Sequence, residues 1–266
     1  MSAEIVFWLA LATKMAITAI FVTVATIVAE RLGAMVGALV ATLPVSAGPV
    51  YVFLALDHDS TFISSSALAS LALNAATAIY VTVYVLIAQR RSMWLSVSLA
   101  FAMWLTAVLV LSPVRWNVWS AFILNFFVFS VCVFIVQPFC LIRMPPTTRP
   151  WYDFVIRASL AASLVGAVVT LSFRIGPTGS GVLAVFPVIY TSIMVILHYR
   201  VGGPATAAVL ANAVLGLAGF GVALLTLHLT AVPLGSATAL IVALGVSVAW
   251  NAIVYAIRRR QAREVA

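Results

Sequence analysis

Residues 33–56 read GAMVGALVATLPVSAGPVYVFLAL, an apolar stretch that is long enough to cross a bilayer and is interrupted near its middle by PVSAGP at 44–49. A second stretch, GPTGSGVLAVFPVIYTSIMVILHY at 176–199, begins 143 residues later. When the two stretches are aligned without a gap, Pro44 falls on Pro187. Upstream of them, Lys14 falls on Arg157 in the same register. The chain is therefore predicted to repeat one half of itself around a broken membrane helix.

The composition is that of a membrane protein. Of the 266 residues, 65% are hydrophobic and only 8% are charged, whereas soluble domains have about 25% charged residues. The net charge of +8 does not indicate nucleic acid, because the basic residues lie at the ends of the apolar stretches. The N-terminal segment lacks a basic region and a small-residue cleavage site, so we expect it to be the first spanning helix. The predicted fold class is an all-α polytopic membrane protein, with the lipid bilayer as its partner.

Nine apolar spans of about the required 20 residues follow one another with short connections. They cover residues 5–29, 33–56, 62–88, 93–112, 118–142, 152–173, 177–199, 204–230 and 233–257. With nine spans the loops alternate between two sides. One side collects Arg31, Arg90, Arg91, Arg143, Arg149, Arg200, Arg258, Arg259, Arg260 and Arg263, while the other has Arg115 and Arg174. The positive-inside rule makes the first side cytoplasmic, so we expect an external N-terminus, a cytoplasmic C-terminus and a bacterial inner membrane.

An odd number of spans separates the two copies, so the second copy is predicted to be inverted in the membrane. Helices 1–4 then match helices 6–9, and helix 5 is either a linker or the fifth member of a repeat that lacks its tenth helix. The expected organisation is one integral membrane domain. It consists of a first repeat with the linking helix over 1–142, an inverted repeat over 152–258 and a basic cytoplasmic tail over 259–266.

Proline marks helices 2 and 7 at the same depth. Pro44 lies 11 residues after Gly33, and Pro187 lies 11 residues after Gly176. At 1.5 Å per residue this is roughly 17 Å, about half of a ~30 Å hydrocarbon core. Proline removes a backbone donor, so we expect both helices to break near the midplane, although a simple kink is the alternative. The candidate substrate-binding residues around the breaks are Pro44, Ser46, Gly48, Pro49, Pro187, Tyr190, Thr191 and Ser192.

Over residues 14–57 and 157–200 the chain resembles secondary transporters that are built from inverted repeats with discontinuous helices. The resemblance is one of architecture. It implies a substrate site at the interface of the repeats and alternating access by movement of one bundle against the other. The chain departs from the familiar versions in its small size and in the absence of a fifth helix from the second repeat.

Two asparagines and two cations inside the spans each have alternative roles. Asn74 and Asn212 correspond if the second copy has a loop five residues shorter, and they predict either an interhelical hydrogen bond or a substrate ligand. Lys14 and Arg157 are the only basic residues within the spans. They either extend toward the membrane surface or attract an anion and gate its path.

Enzyme chemistry is not expected, because the chain lacks His-Glu-x-x-His, Gly-x-Ser-x-Gly and Cys-x-x-Cys motifs. No catalytic residue, cofactor or metal site is predicted. No carboxylate is expected at membrane depth, so every fixed charge near the path would be positive. We therefore expect a small secondary transporter that binds a small organic anion between broken helices 2 and 7. A passive channel and a non-catalytic structural membrane subunit are the alternatives, and a coupling ion and a homodimer stay open.

Overall fold

The computed structural model of the chain describes residues 2–31, 47–140 and 151–264, and the regular structure of these ranges is entirely helical. The helices are α1 (Ala3–Arg31), α2 (Ala47–Asp57), α3 (Ser60–Ile87), α4 (Met93–Leu111), α5 (Val118–Val136) with a 3₁₀ turn (Gln137–Phe139), α6 (Trp151–Ala184), α7 (Val188–Val201), α8 (Gly203–Leu234) and α9 (Ser236–Glu264). An α-helix satisfies its own backbone groups, which is what a hydrocarbon environment requires.

Seven helical segments within the described ranges are long and apolar enough to cross a bilayer, so the chain is an integral membrane protein. One of these segments, Tyr152–Val201, has 50 residues and contains both predicted spans 6 and 7. Of the predicted span 33–56, the structure describes only residues 47–56, which lie within the 11-residue helix α2. Pro44 and Ser46, two of the predicted site residues, lie outside the described residues.

Glycines with a positive φ end three of the spans. Gly202, with φ 85°, follows α7. Gly176 has φ 67° and ψ −173° inside α6, and the helix resumes at Pro177. Gly235 has φ 79° and separates α8 from α9. Residues with a Cβ rarely adopt these angles, so glycine permits the interruptions of the helix at these positions. The division between spans 8 and 9 is present, but it lies at 235 rather than at the predicted 231–232.

Helices α3 and α8 form the centre of the bundle. In the most apolar 18 residues of α3, 78% of the residues are buried, compared with 17% in α4 and 22% in α5. The exposed surfaces of α4 and α5 are available to lipid. A Cβ on Gly203, at the start of α8, would overlap the carbonyl oxygen of Ala88, just after α3. At the opposite end of the bundle, the Ser64 hydroxyl donates to the His228 carbonyl over 2.9 Å. The two central helices are therefore antiparallel and in contact along their whole length.

Candidate functional site

Residues 177–201, which we call the interrupted span, are broken at Pro187. Helical structure ends at Ala184 and resumes at Val188, and Pro187 has φ −79° and ψ 48°. Two tight hydrogen bonds shape the break: Phe186 N–H donates to Leu183 O over 3.0 Å, and Val188 N–H donates to Phe186 O over 2.8 Å. Pro187 itself is buried. The interruption predicted at this proline is confirmed.

The break leaves backbone donors without acceptors. The first hydrogen bond of regular helical spacing in α7 joins Thr191 N–H to Pro187 O over 2.9 Å. No described residue accepts a hydrogen bond from the N–H group of Ile189 or Tyr190. Such groups at a helix N-terminus carry partial positive charge, and a polar ligand or water can satisfy them.

Two hydroxyl groups of α3 support the break, one by bonding to its backbone and one through Thr191. The Thr77 hydroxyl donates to the Val185 carbonyl over 3.3 Å. Thr191 Oγ1 donates to Pro187 O over 2.7 Å, so the Tyr80 hydroxyl, 2.8 Å from Thr191 Oγ1, must be the donor of that bond. The broken backbone therefore lies against polar protein groups rather than lipid, as a break at membrane depth requires.

These hydroxyls belong to a longer row on α3, which we call the hydroxyl face and define as Ser70, Thr77, Tyr80 and Tyr84. Their spacing of seven, three and four residues places them on one side of a helix. Every member bonds to the interrupted span, and the Tyr84 hydroxyl lies 2.7 Å from His198 Nδ1 near its end. The hydroxyl face thus follows the interrupted span on both sides of its break.

Ser70 also joins α2 to this arrangement. Its hydroxyl donates to the Gly181 carbonyl over 2.6 Å, and the Tyr51 hydroxyl of α2 therefore donates to Ser70 Oγ, also over 2.6 Å. Tyr51 and Ser70 are both buried. A Cβ on Gly181 would overlap the Ser66 carbonyl of α3, so glycine permits this close approach. Part of helix 2 and the interrupted span are thus coupled through one serine.

An aromatic cluster from α4 encloses the break on another side. The ring of Phe186 contacts Trp104 edge-on with 5.1 Å between ring centroids, and Phe101 lies at 6.1 Å. Trp104 is 4% exposed, and its indole Nε1–H has no hydrogen-bond acceptor among the described residues. A buried indole N–H usually has a partner, so this donor is a third unsatisfied group, on a ring that contacts Phe186 of the break.

The two asparagines that the sequence pairs make separate contacts. The Asn74 amide of α3 donates to Leu217 O of α8 over 3.2 Å and to Asn125 Oδ1 of α5 over 3.3 Å. Asn212 donates instead to Cys140 O over 3.1 Å. Asn74 thus makes the interhelical bond that was one of its two predicted roles, and Asn212 bonds to the residue after the 3₁₀ turn. A role as a substrate ligand stays a prediction for both. Asn74 Oδ1 is buried and has no described partner, so that asparagine keeps one polar atom available.

Lys14 and Arg157 are both paired with carboxylates. Lys14 Nζ lies 2.6 Å from Asp57 Oδ1, and the side chains are 17% and 20% exposed. Arg157 Nε lies 2.9 Å from Asp153 Oδ1, one turn away on α6, with exposures of 13% and 4%. The expectation that every fixed charge near the path is positive is therefore wrong. The physical reason is that a partly buried cation is retained at lower cost when a carboxylate neutralises it.

The loop between α2 and α3 uses its polar residues structurally. Asp59 caps α3 by accepting the Phe62 N–H over 2.8 Å, and this bond lowers the pKa of the Asp59 carboxyl. His58 Nε2 lies 2.8 Å from Ser172 Oγ, and burial lowers the pKa of the imidazole. No group of three described His, Cys, Asp or Glu residues could hold a metal ion.

The remaining predicted site residues separate into two locations. Gly48 and Pro49 line an apolar cavity of about 350 Å³ between α1, α2, α8 and α9. The Ser192 hydroxyl donates to Ile189 O over 2.7 Å within α7, and Tyr190 is half-buried beside it. The structure therefore places Pro187, Tyr190, Thr191 and Ser192 together at the break, whereas Gly48 and Pro49 face a different, apolar space.

Sequence reasoning missed the hydroxyl face and Trp104. The helical spacing of Ser70, Thr77, Tyr80 and Tyr84 was the available signal for the first. No comparable signal marks Trp104, because a tryptophan in a spanning helix more often only fills space.

Comparison with known proteins adds no assignment, since the chain matches no protein-family model, no curated protein and no solved structure.

Proposed function

We propose that this chain is a small secondary transporter, and that it binds a small organic anion at the break of the interrupted span. The observation that carries the proposal is the set of donors around Pro187 that have no described acceptor, two on the backbone of half-buried residues and one on a buried indole. They are the N–H groups of Ile189 and Tyr190 and the indole N–H of Trp104. Oxygen acceptors on a solute are the groups that donors of this kind require.

The partial positive charge of these N–H groups favours an anion over a cation. A buried donor that stays unpaired, such as the Trp104 indole N–H, costs about 1–3 kcal/mol, so a ligand that supplies an acceptor recovers that free energy. The start of α7 adds the partial positive charge of a helix N-terminus. A cation would have to lose water at the break without a carboxylate to replace it, since the described carboxylates of Asp57 and Asp153 are already paired.

The two ion pairs change how the anion is attracted. Lys14 and Arg157 are neutralised locally, so the long-range field is weaker than two unpaired cations would produce. In this proposal attraction comes mainly from the donors at the break. Lys14 then serves as a gating residue, because its pair with Asp57 connects α1 to the end of α2.

The contacts between helices support the inverted repeat. If the repeat relates helices 1–4 to helices 6–9, the contact between α3 and α4 corresponds to a contact between α8 and α9. Both pairs of helices are in contact. In the same way, the contact between α4 and α7 corresponds to a contact between α9 and α2. These two pairs are in contact as well. In this proposal the repeats move relative to one another, and the N-terminus is external in a bacterial inner membrane.

Uptake into liposomes tests the proposal. The purified chain is reconstituted, and a panel of small organic carboxylates, inorganic phosphate, choline and glycerol is offered at equal concentrations. We expect saturable uptake of at least one carboxylate and no uptake of choline. Non-saturating flux of several solutes would indicate a channel. Flux equal to that of protein-free liposomes for the whole panel would favour a structural subunit and contradict the transporter assignment.

A further inference from the structure

A groove of about 820 Å³ lies where α3 turns into α4, away from the break of the interrupted span. It is open to the surface at one side. Its walls combine two arginines and a glutamine with apolar side chains, and the lining residues are Leu86, Ile87, Gln89, Arg90, Arg91, Leu95, Leu99 and Phe139. The groove therefore has a charged end and an apolar end.

The charged end carries two guanidinium groups that have no carboxylate partner among the described residues. Arg90 and Arg91 are both exposed. Their backbone N–H groups donate to the same Ile87 carbonyl, over 3.2 and 3.1 Å, so the turn holds both residues at fixed backbone positions. Gln89 donates to Val85 O over 2.8 Å and carries no charge that could neutralise them. Two neighbouring guanidinium groups without a carboxylate partner can donate hydrogen bonds to the oxygens of a phosphate.

The start of α4 adds further donors at the same end. Ser92 is the N-cap residue, yet its side chain makes no capping hydrogen bond. The first bond of regular helical spacing in α4 is Ser96 N–H to Ser92 O, over 3.0 Å. The N–H groups of the first turn therefore remain available, and a helix N-terminus attracts an anion in the same sense as the two arginines.

The apolar end distinguishes a lipid from a free oxyanion. Leu86, Leu95 and Leu99 are 45%, 43% and 43% exposed, and Phe139 of the 3₁₀ turn also lines the groove. Leu95 and Leu99 are one helical turn apart, so they continue along α4 from its start toward the hydrocarbon region. An inorganic phosphate gains nothing from these side chains, whereas an acyl chain would cover them.

We propose that this groove binds one anionic phospholipid, with its phosphate on Arg90 and Arg91 and an acyl chain along Leu95 and Leu99. The proposal is independent of transport. Basic pockets between spanning helices at the level of the headgroups bind such lipids in the same way. The occupant is a lipid of the surrounding bilayer, and preference for free phosphate would contradict this assignment.

Native mass spectrometry of the full chain measures this site. The protein is titrated in detergent with dioleoyl phosphatidylglycerol or with dioleoyl phosphatidylcholine, and the fraction that carries one lipid is recorded. For R90Q/R91Q we expect roughly ten- to thirtyfold weaker binding of the first phosphatidylglycerol, because each cation near an anionic headgroup contributes about 1 kcal/mol. Binding of phosphatidylcholine should be the same in both proteins.

A matched control separates the groove from general electrostatics. Arg115 and Arg174 are also exposed, at the opposite end of the bundle, so R115Q/R174Q removes the same net charge. This control should bind phosphatidylglycerol like the wild type, and R90K/R91K should keep most of the affinity. Unchanged binding in R90Q/R91Q, or an equal loss in R115Q/R174Q, would overturn the proposal.

The apolar half of the groove needs its own test. Leu99→Asn should weaken dioleoyl phosphatidylglycerol more than the dihexanoyl lipid, whose chains are too short to cover the wall. If inorganic phosphate displaces the long-chain lipid at equal concentration, the site belongs to a free oxyanion and the lipid assignment fails.

Discussion

Replacing Ser70 with alanine tests whether the hydroxyl face holds the interrupted span. Ser70 is fully buried, donates to Gly181 O over 2.6 Å and accepts from the Tyr51 hydroxyl over 2.6 Å. The substitution removes one oxygen atom, so it creates almost no cavity. It leaves two buried groups, on two different helices, without their partner.

The expected cost follows from those two bonds. A buried polar group that loses its partner costs about 1–3 kcal/mol in soluble proteins, whereas side-chain hydrogen bonds in membrane proteins average about 0.6 kcal/mol with a maximum of about 1.7. For two bonds of good length we expect the free energy of unfolding to fall by about 1–3 kcal/mol. Partial relaxation of the Tyr51 hydroxyl toward another acceptor would place the value at the lower end.

Unfolding by a denaturing detergent in mixed micelles, followed by tryptophan fluorescence, measures this change. Ser65→Ala is the matched control, because Ser65 lies on the same helix and is exposed. It should change stability by less than about 0.5 kcal/mol. Tyr51→Phe and the double variant complete a thermodynamic cycle, and we expect a positive coupling between Tyr51 and Ser70. Equal effects of Ser70→Ala and Ser65→Ala, together with zero coupling, would refute the reasoning.

Two further predictions concern the end of the bundle that contains Asp57. Lys14→Gln should lower the free energy of unfolding by about 1–3 kcal/mol, because it leaves the partly buried Asp57 unpaired. Adding Asp57→Asn should restore part of the loss. The same detergent unfolding measures both variants, and a double variant no more stable than Lys14→Gln would contradict the pairing. Burial lowers the pKa of His58 in the folded state, so its neutral form stabilises the fold above the unfolded value of about 6.5. This contribution should be lost as the pH falls below 6.5 and through the lower folded value, and His58→Gln should flatten the pH profile of stability between about pH 7 and 5; an unchanged profile would show that another group titrates.

The sequence predicted those features that follow from local chemistry. Proline lacks an N–H group, so the break at Pro187 could be located from its position alone. Glycine permits a positive φ, and Gly176 accordingly divides spans 6 and 7 close to the predicted boundary. The membrane class followed from apolar stretches of about 20 residues. Each of these inferences needs no knowledge of what a residue contacts.

The missed features depend on contacts between distant residues. Lys14 and Asp57 are 43 positions apart, and nothing local shows that one neutralises the other. Hydroxyls in spanning helices often bond to their own helix, as Thr82 does with Ala78 O, so the pattern on α3 did not reveal that Thr77 bonds to Val185 instead. Asn74 and Asn212 correspond in the proposed repeat, yet their partners differ because the helices around them differ.

The most direct test of the central claim is the concentration dependence of carboxylate uptake by Pro187→Ala in liposomes. Alanine supplies the missing N–H, and a continuous helix would bond the N–H groups of Ile189 and Tyr190 internally. Two ligand hydrogen bonds of about 1 kcal/mol each are then lost. We therefore predict that the carboxylate concentration for half-maximal uptake rises roughly tenfold to thirtyfold in a protein that still folds. Pro233→Ala, at an exposed proline near the end of α8, should behave like the wild type. If Pro187→Ala and the wild type reach half-maximal uptake at the same carboxylate concentration, the assignment of the substrate site to this break is contradicted.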